Sequence, residues 1–261
     1  MQLPEKIQNM ISGESYQIDE IGESGSSIRL FEDKVLKIQK SSREADGEYR
    51  MMTWLHDKLP VPRVFAHETL NNHTFLLMTK IDGRMACEEE YMKNLPMQVR
   101  LLSSGLKMLW DVDISDCPVN WNLTHKLEQA RYNVENGLVD LDNVEPDTFG
   151  EDGFESPEAL LQWLYENQPE EEPTLSHGDY CLPNIFGVED EISGFIDLGR
   201  TGIADKWCDI ALCYRSLSHN YSGRYDGRAY PGYDEQLLFK ELEIEPDWEK
   251  IRYYTLLDEL F

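Results

Sequence analysis

Residues 176–184 read SHGDYCLPN, and after a short hairpin residues 193–199 read SGFIDLG. In kinase chemistry, one Asp accepts the proton of the attacking hydroxyl, an Asn on the same loop holds Mg²⁺, and a second Asp holds the bridging metal. Asp179, Asn184 and Asp197 occur in that order and at that spacing. We therefore predict that Asp179 is catalytic and that Asn184 and Asp197 are Mg²⁺ ligands. In the alternative interpretation, these side chains only cap turns.

Residues nearer the N-terminus complete the same chemistry. Lys37 lies in a predicted strand, and Glu48 lies in the helix predicted to follow it. Phosphoryl transfer of this type uses a strand lysine on the α- and β-phosphates and a helix glutamate that holds the lysine. Each residue alone is common, but together they precede the catalytic loop in the required order. The segment 22–27, with Ser26 and Ser27, either covers phosphates with backbone and hydroxyl donors or forms a plain hairpin turn.

The apolar pattern predicts an α+β fold. Short apolar runs at 28–31 and 35–38 flank a turn and indicate a hairpin. Residues 41–44, SSRE, match a capping box, and the helical spacing that follows predicts a helix ending near Lys58. Helical stripes dominate the later part of the chain, whereas the acidic, glycine-containing stretch 136–154 predicts a loop. We therefore expect a small sheet carrying one helix, followed by a mostly helical part.

The amino-acid composition limits the kinds of partner that the protein is expected to bind. The 261 residues include 24 basic and 50 acidic side chains, a formal net charge of −26. Such a charge repels nucleic-acid backbones and anionic lipid and favours cationic partners, although acidity also simply raises solubility. Five cysteines without a CxxC pair predict free thiols in a reducing cytosol. Without a secretion signal or a long apolar run, we expect a cytoplasmic protein with no membrane or nucleic-acid partner.

Long segments outside the generic motifs resemble one family, the aminoglycoside 3'-phosphotransferases of Gram-positive bacteria. The similarity runs through nearly the whole chain and is clearest in residues 51–62, 113–118, 193–200, 204–207 and 246–261. The resemblance implies a bilobal protein-kinase-like fold, with a nucleotide-binding lobe at 1–80 and a catalytic and substrate-binding lobe at 81–261. It also implies Mg²⁺-dependent transfer from ATP, or GTP, to a hydroxyl of an aminoglycoside, the 3'-hydroxyl by analogy, and hence antibiotic resistance.

The resemblance assigns further residues by position. Arg200 is expected to be a polar catalytic contributor near the metal loop. The segment containing Met78, Thr79 and Ile81 is expected to meet adenine through its backbone. Glu259 and the carboxylate of Phe261 are expected to contact the amino sugar, in agreement with the preference of ammonium groups for carboxylates. The substrate is therefore predicted to be a small cationic molecule.

The chain also departs from the family pattern. Val35 stands where relatives carry an aromatic residue that stacks on adenine, so the base preference is open. Leu182 and His219 stand at substrate-pocket positions that are acidic in relatives, which predicts weaker binding and a narrower substrate range. The acid-rich loop, with Glu145 and Glu151, is expected to contribute carboxylates to this pocket.

Two other functions remain open from the sequence. A kinase of another hydroxylated amine, such as choline, or of another antibiotic would share every catalytic residue. A non-catalytic binding protein on the same fold is the third alternative. Loss of Lys37, Asp179, Asn184 or Asp197 would favour it, and none is lost.

Overall fold

The computed structural model describes residues 2–19, 26–150, 153–225 and 227–261. Its first part is an antiparallel five-stranded sheet in the order β1-β2-β3-β5-β4. The elements of this part are α1 (Glu5–Met10), β1 (Gln17–Asp19), β2 (Ser27–Leu30), β3 (Lys34–Lys40), α2 (Arg43–Leu55), β4 (Val64–Leu70) and β5 (His73–Thr79). The hairpin predicted from the sequence is β2 and β3.

Strand alternation decides which face of β3 meets the site. Leu36 and Ile38 belong to a small buried cluster on the side of the sheet that α1 covers. Because successive side chains of a strand point to opposite faces, Lys37 points the other way, toward α2 and the second part of the chain. The strand thereby directs the Lys37 ammonium away from the apolar cluster.

Helix α2 begins one residue later than the capping box predicts. The hydroxyl of Ser42, and not that of Ser41, caps the helix by accepting a hydrogen bond from the backbone N–H of Ala45 at 3.1 Å. The helix ends at Leu55, and its buried face includes Glu48. The buried face of α2 therefore presents the Glu48 carboxylate together with the apolar core residues of the helix.

The second part is mostly helical, as predicted. A three-stranded sheet in the order β6-β8-β9 and a β7–β10 pair lie among its helices. Its elements are β6 (Arg84–Met85), α3 (Glu89–Met92), α4 (Leu95–Trp110), α5 (Leu123–Glu135), α6 (Pro157–Glu166), β7 (Pro173–Ser176), β8 (Ile185–Val188), β9 (Glu191–Phe195), β10 (Gly202–Asp205), α7 (Lys206–Ser222), α8 (Leu237–Leu242) and α9 (Trp248–Asp258). The described residues of the predicted loop 136–154 contain no helix.

A short connecting segment and a backbone hydrogen bond join the two parts. The main chain leaves β5 at Thr79 and enters β6 at Arg84, and the backbone N–H of Phe195 donates to the carbonyl of Pro60 at 2.9 Å. The division into lobes at residue 80 stays a prediction. Within the described ranges, no helix combines the length and apolarity that crossing a bilayer requires. All five cysteines are free thiols, as predicted.

Candidate active site

A cleft of about 260 Å³ lies between the first sheet and the second part. Its walls are mainly apolar, with Lys37 and a few polar side chains at one end, a combination typical of small-molecule sites. Of the predicted nucleotide-binding residues, Ser26, Met78, Thr79 and Ile81 line the cleft together with Val35, whereas Ser27, the first residue of β2, does not. The role of these residues toward adenine stays a prediction.

Lys37, Glu48 and Asp197 form a buried ion-pair network at the polar end of the cleft. The Lys37 Nζ lies 3.0 Å from the Glu48 carboxylate and 2.7 Å from Oδ1 of Asp197. Burial alone would lower the pKa of Lys37, but the two carboxylates outweigh it and raise the pKa above its ordinary value. Likewise, burial raises the pKa of Asp197, but the Lys37 ammonium lowers it by more. Lys37 is therefore cationic and Asp197 ionised at neutral pH.

Residues 176–184, the predicted catalytic loop, hold Asp179 and Asn184 against each other. The Nδ2 amide of Asn184 donates to the backbone carbonyl of Asp179 at 3.0 Å and to its Oδ2 at 2.9 Å. A 3₁₀ turn at Leu182–Asn184 brings the amide back to the aspartate. This contact uses the amide nitrogen of Asn184 and Oδ2 of Asp179. The roles of the amide oxygen toward a metal ion and of Oδ1 toward a substrate hydroxyl stay predictions.

Asp209 of α7 holds this loop in place through three hydrogen bonds. Its carboxylate accepts hydrogen bonds from the backbone N–H groups of His177 at 2.8 Å and Gly178 at 3.0 Å, and from the Ser176 hydroxyl at 3.0 Å. The side chain is fully buried, and burial raises its pKa. Sequence reasoning missed Asp209. The available signal was one acidic residue among the apolar positions of 207–213.

The conformation of this loop requires a glycine at position 178. Its φ is +84°, in the left-handed region, and a Cβ there would collide with the carbonyl oxygen of Arg200. The close approach lets the loop turn directly before Asp179.

A second pocket, of about 460 Å³, is lined by charged side chains. We call it the acidic pocket; its lining residues are Asp140, Asp142, Asn143, Val144, Glu145, Arg215, His219, Arg224, Tyr225, Asp258, Glu259 and Phe261. The structure thus brings together four predicted substrate-binding residues, namely Glu145, His219, Glu259 and Phe261. Of the other two, Glu151 lies outside the described residues and Leu182 does not line this pocket.

Leu182 requires a correction. Its side chain is fully buried in the core, and its backbone N–H donates to the Ser216 hydroxyl at 3.1 Å. The sequence-based prediction that Leu182 lines the substrate pocket is therefore wrong. The 3₁₀ turn that places Asn184 beside Asp179 directs the side chain of Leu182 into the apolar interior.

Glu259 makes contacts that the sequence did not indicate. It accepts a hydrogen bond from the backbone N–H of Glu145 at 2.8 Å and pairs with Arg215 at 3.1 Å. Burial raises the pKa of Glu259 to about 7, despite the opposing effect of Arg215. Arg215 also pairs with Asp258, and neither of these two residues was predicted. Asp258 is adjacent to Glu259, and Arg215 lies four positions before His219, but only the packing of α7 on α9 brings them together.

Arg200 links the two parts of the chain. Its guanidinium lies 3.3 Å from Glu44 of α2 and 3.5 Å from Asp258, and 5.2 Å from the ring centre of Phe261. Arg200 does not line the nucleotide cleft but a small cavity that Gly178 and Phe261 share. Its predicted catalytic role stays a prediction. The shared cavity places the catalytic loop beside the acidic pocket.

The metal-binding prediction fits the donors present. Asn184 and Asp197 both line the cleft, and no cluster of three or more His, Cys, Asp or Glu side chains suited to a metal occurs among the described residues. Mg²⁺ is usually held by one or two protein ligands plus phosphate oxygens and water, not by a cage of protein side chains. An amide and a carboxylate beside a nucleotide-sized cleft suit that arrangement.

A model of the phosphotransferase enzyme family matches residues 22–254. The chain belongs to this family. An aminoglycoside 3'-phosphotransferase of Enterococcus faecalis is 42% identical over 225 residues, which cover 84% of this chain and 79% of the relative. One from Niallia circulans is 34% identical and covers 99% of this chain and 97% of the relative. The crystal structure of an aminoglycoside-3'-phosphotransferase of type VIII superposes with a TM-score of 0.81 at 25% identity, covering 98% and 96% of the two chains. The predicted α+β, protein-kinase-like fold is confirmed.

Proposed function

We propose that this phosphotransferase moves the γ-phosphoryl group of ATP to a hydroxyl of an aminoglycoside, the 3'-hydroxyl, and so confers resistance. One observation carries the proposal: the complete Lys37–Glu48–Asp197 and Asp179–Asn184 arrangement lies beside a pocket rich in carboxylates. The relatives named aminoglycoside 3'-phosphotransferase support the choice of acceptor.

The chemistry follows from the geometry of the loop. The acceptor hydroxyl donates to the free oxygen of Asp179, which takes its proton as the hydroxyl oxygen attacks the γ-phosphorus. A phosphorus–oxygen bond to the acceptor forms while the bond between the γ-phosphorus and the bridging oxygen breaks, and a nucleoside diphosphate leaves. The Lys37 ammonium, held by Glu48, orients the α- and β-phosphates during transfer.

Asn184 and Asp197 would hold Mg²⁺ together with the nucleotide phosphates. The metal would neutralise the charge that develops on the phosphate oxygens. Asp197 contacts Lys37 at 2.7 Å, so its carboxylate would serve both Lys37 and the metal. We propose that the enzyme acts in the cytoplasm, in keeping with its five free thiols.

The proposal is tested by nucleotide turnover with ATP and GTP against a panel of aminoglycosides and choline. We expect ADP release only with an aminoglycoside, and phosphate on its 3'-oxygen by NMR. If the protein turned over choline and no aminoglycoside, it would be a kinase of another hydroxylated amine, and our proposal would be overturned.

A variant ties the activity to the site. Asp179→Asn should lower kcat by about a hundredfold or more, because the amide cannot accept the hydroxyl proton, with nucleotide affinity retained. Asp190→Asn is the matched control, since Asp190 is an exposed partner of Arg100. Near-native kcat in a folded Asp179→Asn protein would contradict the role of Asp179.

A further inference from the structure

The acidic pocket already contains cations of its own. Arg215 and Arg224 line it among the carboxylates, beside His219. For a pocket proposed to accept a polyamine sugar, each internal cation occupies a carboxylate that could otherwise bind the substrate. The consequence differs between Arg215 and Arg224, because their surroundings differ.

Arg215 belongs to the permanent structure of the pocket. It projects from α7 and contacts Asp258 and Glu259, the latter 3% exposed at its side chain. A guanidinium joined to one half-buried and one buried carboxylate at the end of a neighbouring helix is costly to remove. A substrate therefore cannot be expected to displace Arg215.

Arg224 is held differently. It follows Gly223, whose left-handed backbone ends α7, and its own backbone N–H donates to the carbonyl of His219 at 3.0 Å. This turn directs the guanidinium across the pocket to the segment after α5, where it contacts Glu145 and the carbonyl of Val144, the latter at 3.2 Å. Its side chain is 32% exposed. Ion pairs of such exposure are weak and exchange readily with competing cations.

Both carboxylate oxygens of Glu145 already have partners within the protein. One carboxylate oxygen pairs with Nε2 of His219 at 3.0 Å, and the other with Arg224. These two partners lower the pKa of Glu145 although burial raises it. Glu145 is thus an ionised carboxylate, directed into the pocket, each of whose oxygens already has a partner within the protein.

We propose that Arg224 determines substrate specificity by taking, on Glu145, the place of one ammonium group of the cationic substrate. The inference rests on the proposed function, because it assumes an amino-sugar acceptor. A substrate that uses Glu145 must first displace Arg224, so the turn that carries Arg224 lowers the affinity for aminoglycosides and narrows their range.

The test compares Arg224→Ala with the wild-type protein. Removing the guanidinium frees Glu145, and the Kd for kanamycin measured by calorimetry should fall about three- to tenfold, with a parallel fall in KM. Arg100→Ala is the matched control, because it removes an exposed arginine from an ion pair with Asp190 outside the pocket. An unchanged or higher Kd in Arg224→Ala, relative to that control, would overturn the proposal.

A second variant separates competition from a general loss of positive charge. Glu145→Gln should change the Kd little in the wild-type background, where Arg224 already occupies the carboxylate. In the Arg224→Ala background the same change should abolish the gain. If Arg224→Ala tightens binding equally with and without Glu145, the effect is long-range electrostatics and the proposal fails.

The same comparison with spermine, a polyamine that has no hydroxyl to phosphorylate, makes the result independent of the acceptor. A gain in spermine affinity that depends on Glu145 supports the role of Arg224 even if no aminoglycoside is turned over. In that event the proposed function fails and the inference about the pocket stands. If Arg224→Ala tightens the binding of neither kanamycin nor spermine, the inference is overturned, whatever the turnover of the wild-type protein.

Discussion

Leu182 shows how a single residue can be aligned correctly and still be misinterpreted. Its position in the loop suggested a lost substrate contact, but the side chain is fully buried. Leu182→Asp should therefore not tighten substrate binding. It should bury an unpaired carboxylate and lower the free energy of unfolding by about 3 kcal/mol or more.

Urea unfolding followed by fluorescence measures this change. Leu138→Asp is the control, since the Leu138 side chain is exposed. Equal stability of the two variants would mean that Leu182 is not held in the core.

Glu259 predicts a pH dependence of stability. Its pKa is raised to about 7 in the folded protein from an ordinary value of about 4.5. The protonated form is thus favoured by folding, so its stabilising contribution is complete below about pH 4.5 and is lost as pH rises through 7. Relative to Glu259→Gln, wild-type protein should lose stability between pH 5 and pH 8. Parallel stability curves for the two proteins would refute the raised pKa.

At the scale of elements, α7 is the support of the catalytic loop. Asp209→Ala should leave the buried backbone N–H of His177 and the hydroxyl of Ser176 without their acceptor, which costs about 2–5 kcal/mol, and should lower kcat because the loop before Asp179 is released. Thermal unfolding and turnover are measured together. Asp234→Ala, which removes an exposed cap at Gln236, serves as control and should leave both nearly unchanged.

The elements also show what the sequence could and could not predict. The order and spacing of the motifs predicted that Lys37, Glu48 and Asp197 lie together and that Asp179 lies beside Asn184, and the structure has both contacts. The start of α2 was misplaced by one residue because two consecutive serines suit the cap equally.

Asp209, Arg215 and Arg224 were missed for a different reason. Each acts through a partner distant in sequence, at separations such as the 79 positions between Arg224 and Glu145. Local patterns carry no information about such pairs, which only the packing of helices and loops determines.

For the whole molecule, the net charge of −26 should act on association rates. A cationic acceptor is attracted and a nucleotide repelled, and both effects are screened as the Debye length falls from about 30 Å at 0.01 M salt to about 8 Å at 0.15 M. Over this range kcat/KM should fall for an aminoglycoside and should not fall for ATP. The measurement is a salt series at saturating co-substrate. A fall of the same size for both substrates would point to an effect on folding or catalysis instead.

The Lys37–Glu48 pair has a consequence for control of the enzyme. In protein kinases, phosphorylation of an activation loop decides whether the equivalent pair and the metal-binding aspartate are in place. Here Lys37 and Glu48 lie 3.0 Å apart, and Asp197 is followed at once by a 3₁₀ turn, β10 and then α7 from Lys206. The chain between Asp197 and α7 is too short to form a movable regulatory segment. We therefore expect each molecule to be active as soon as it folds, so that the cell adjusts phosphoryl transfer through gene expression and protein turnover.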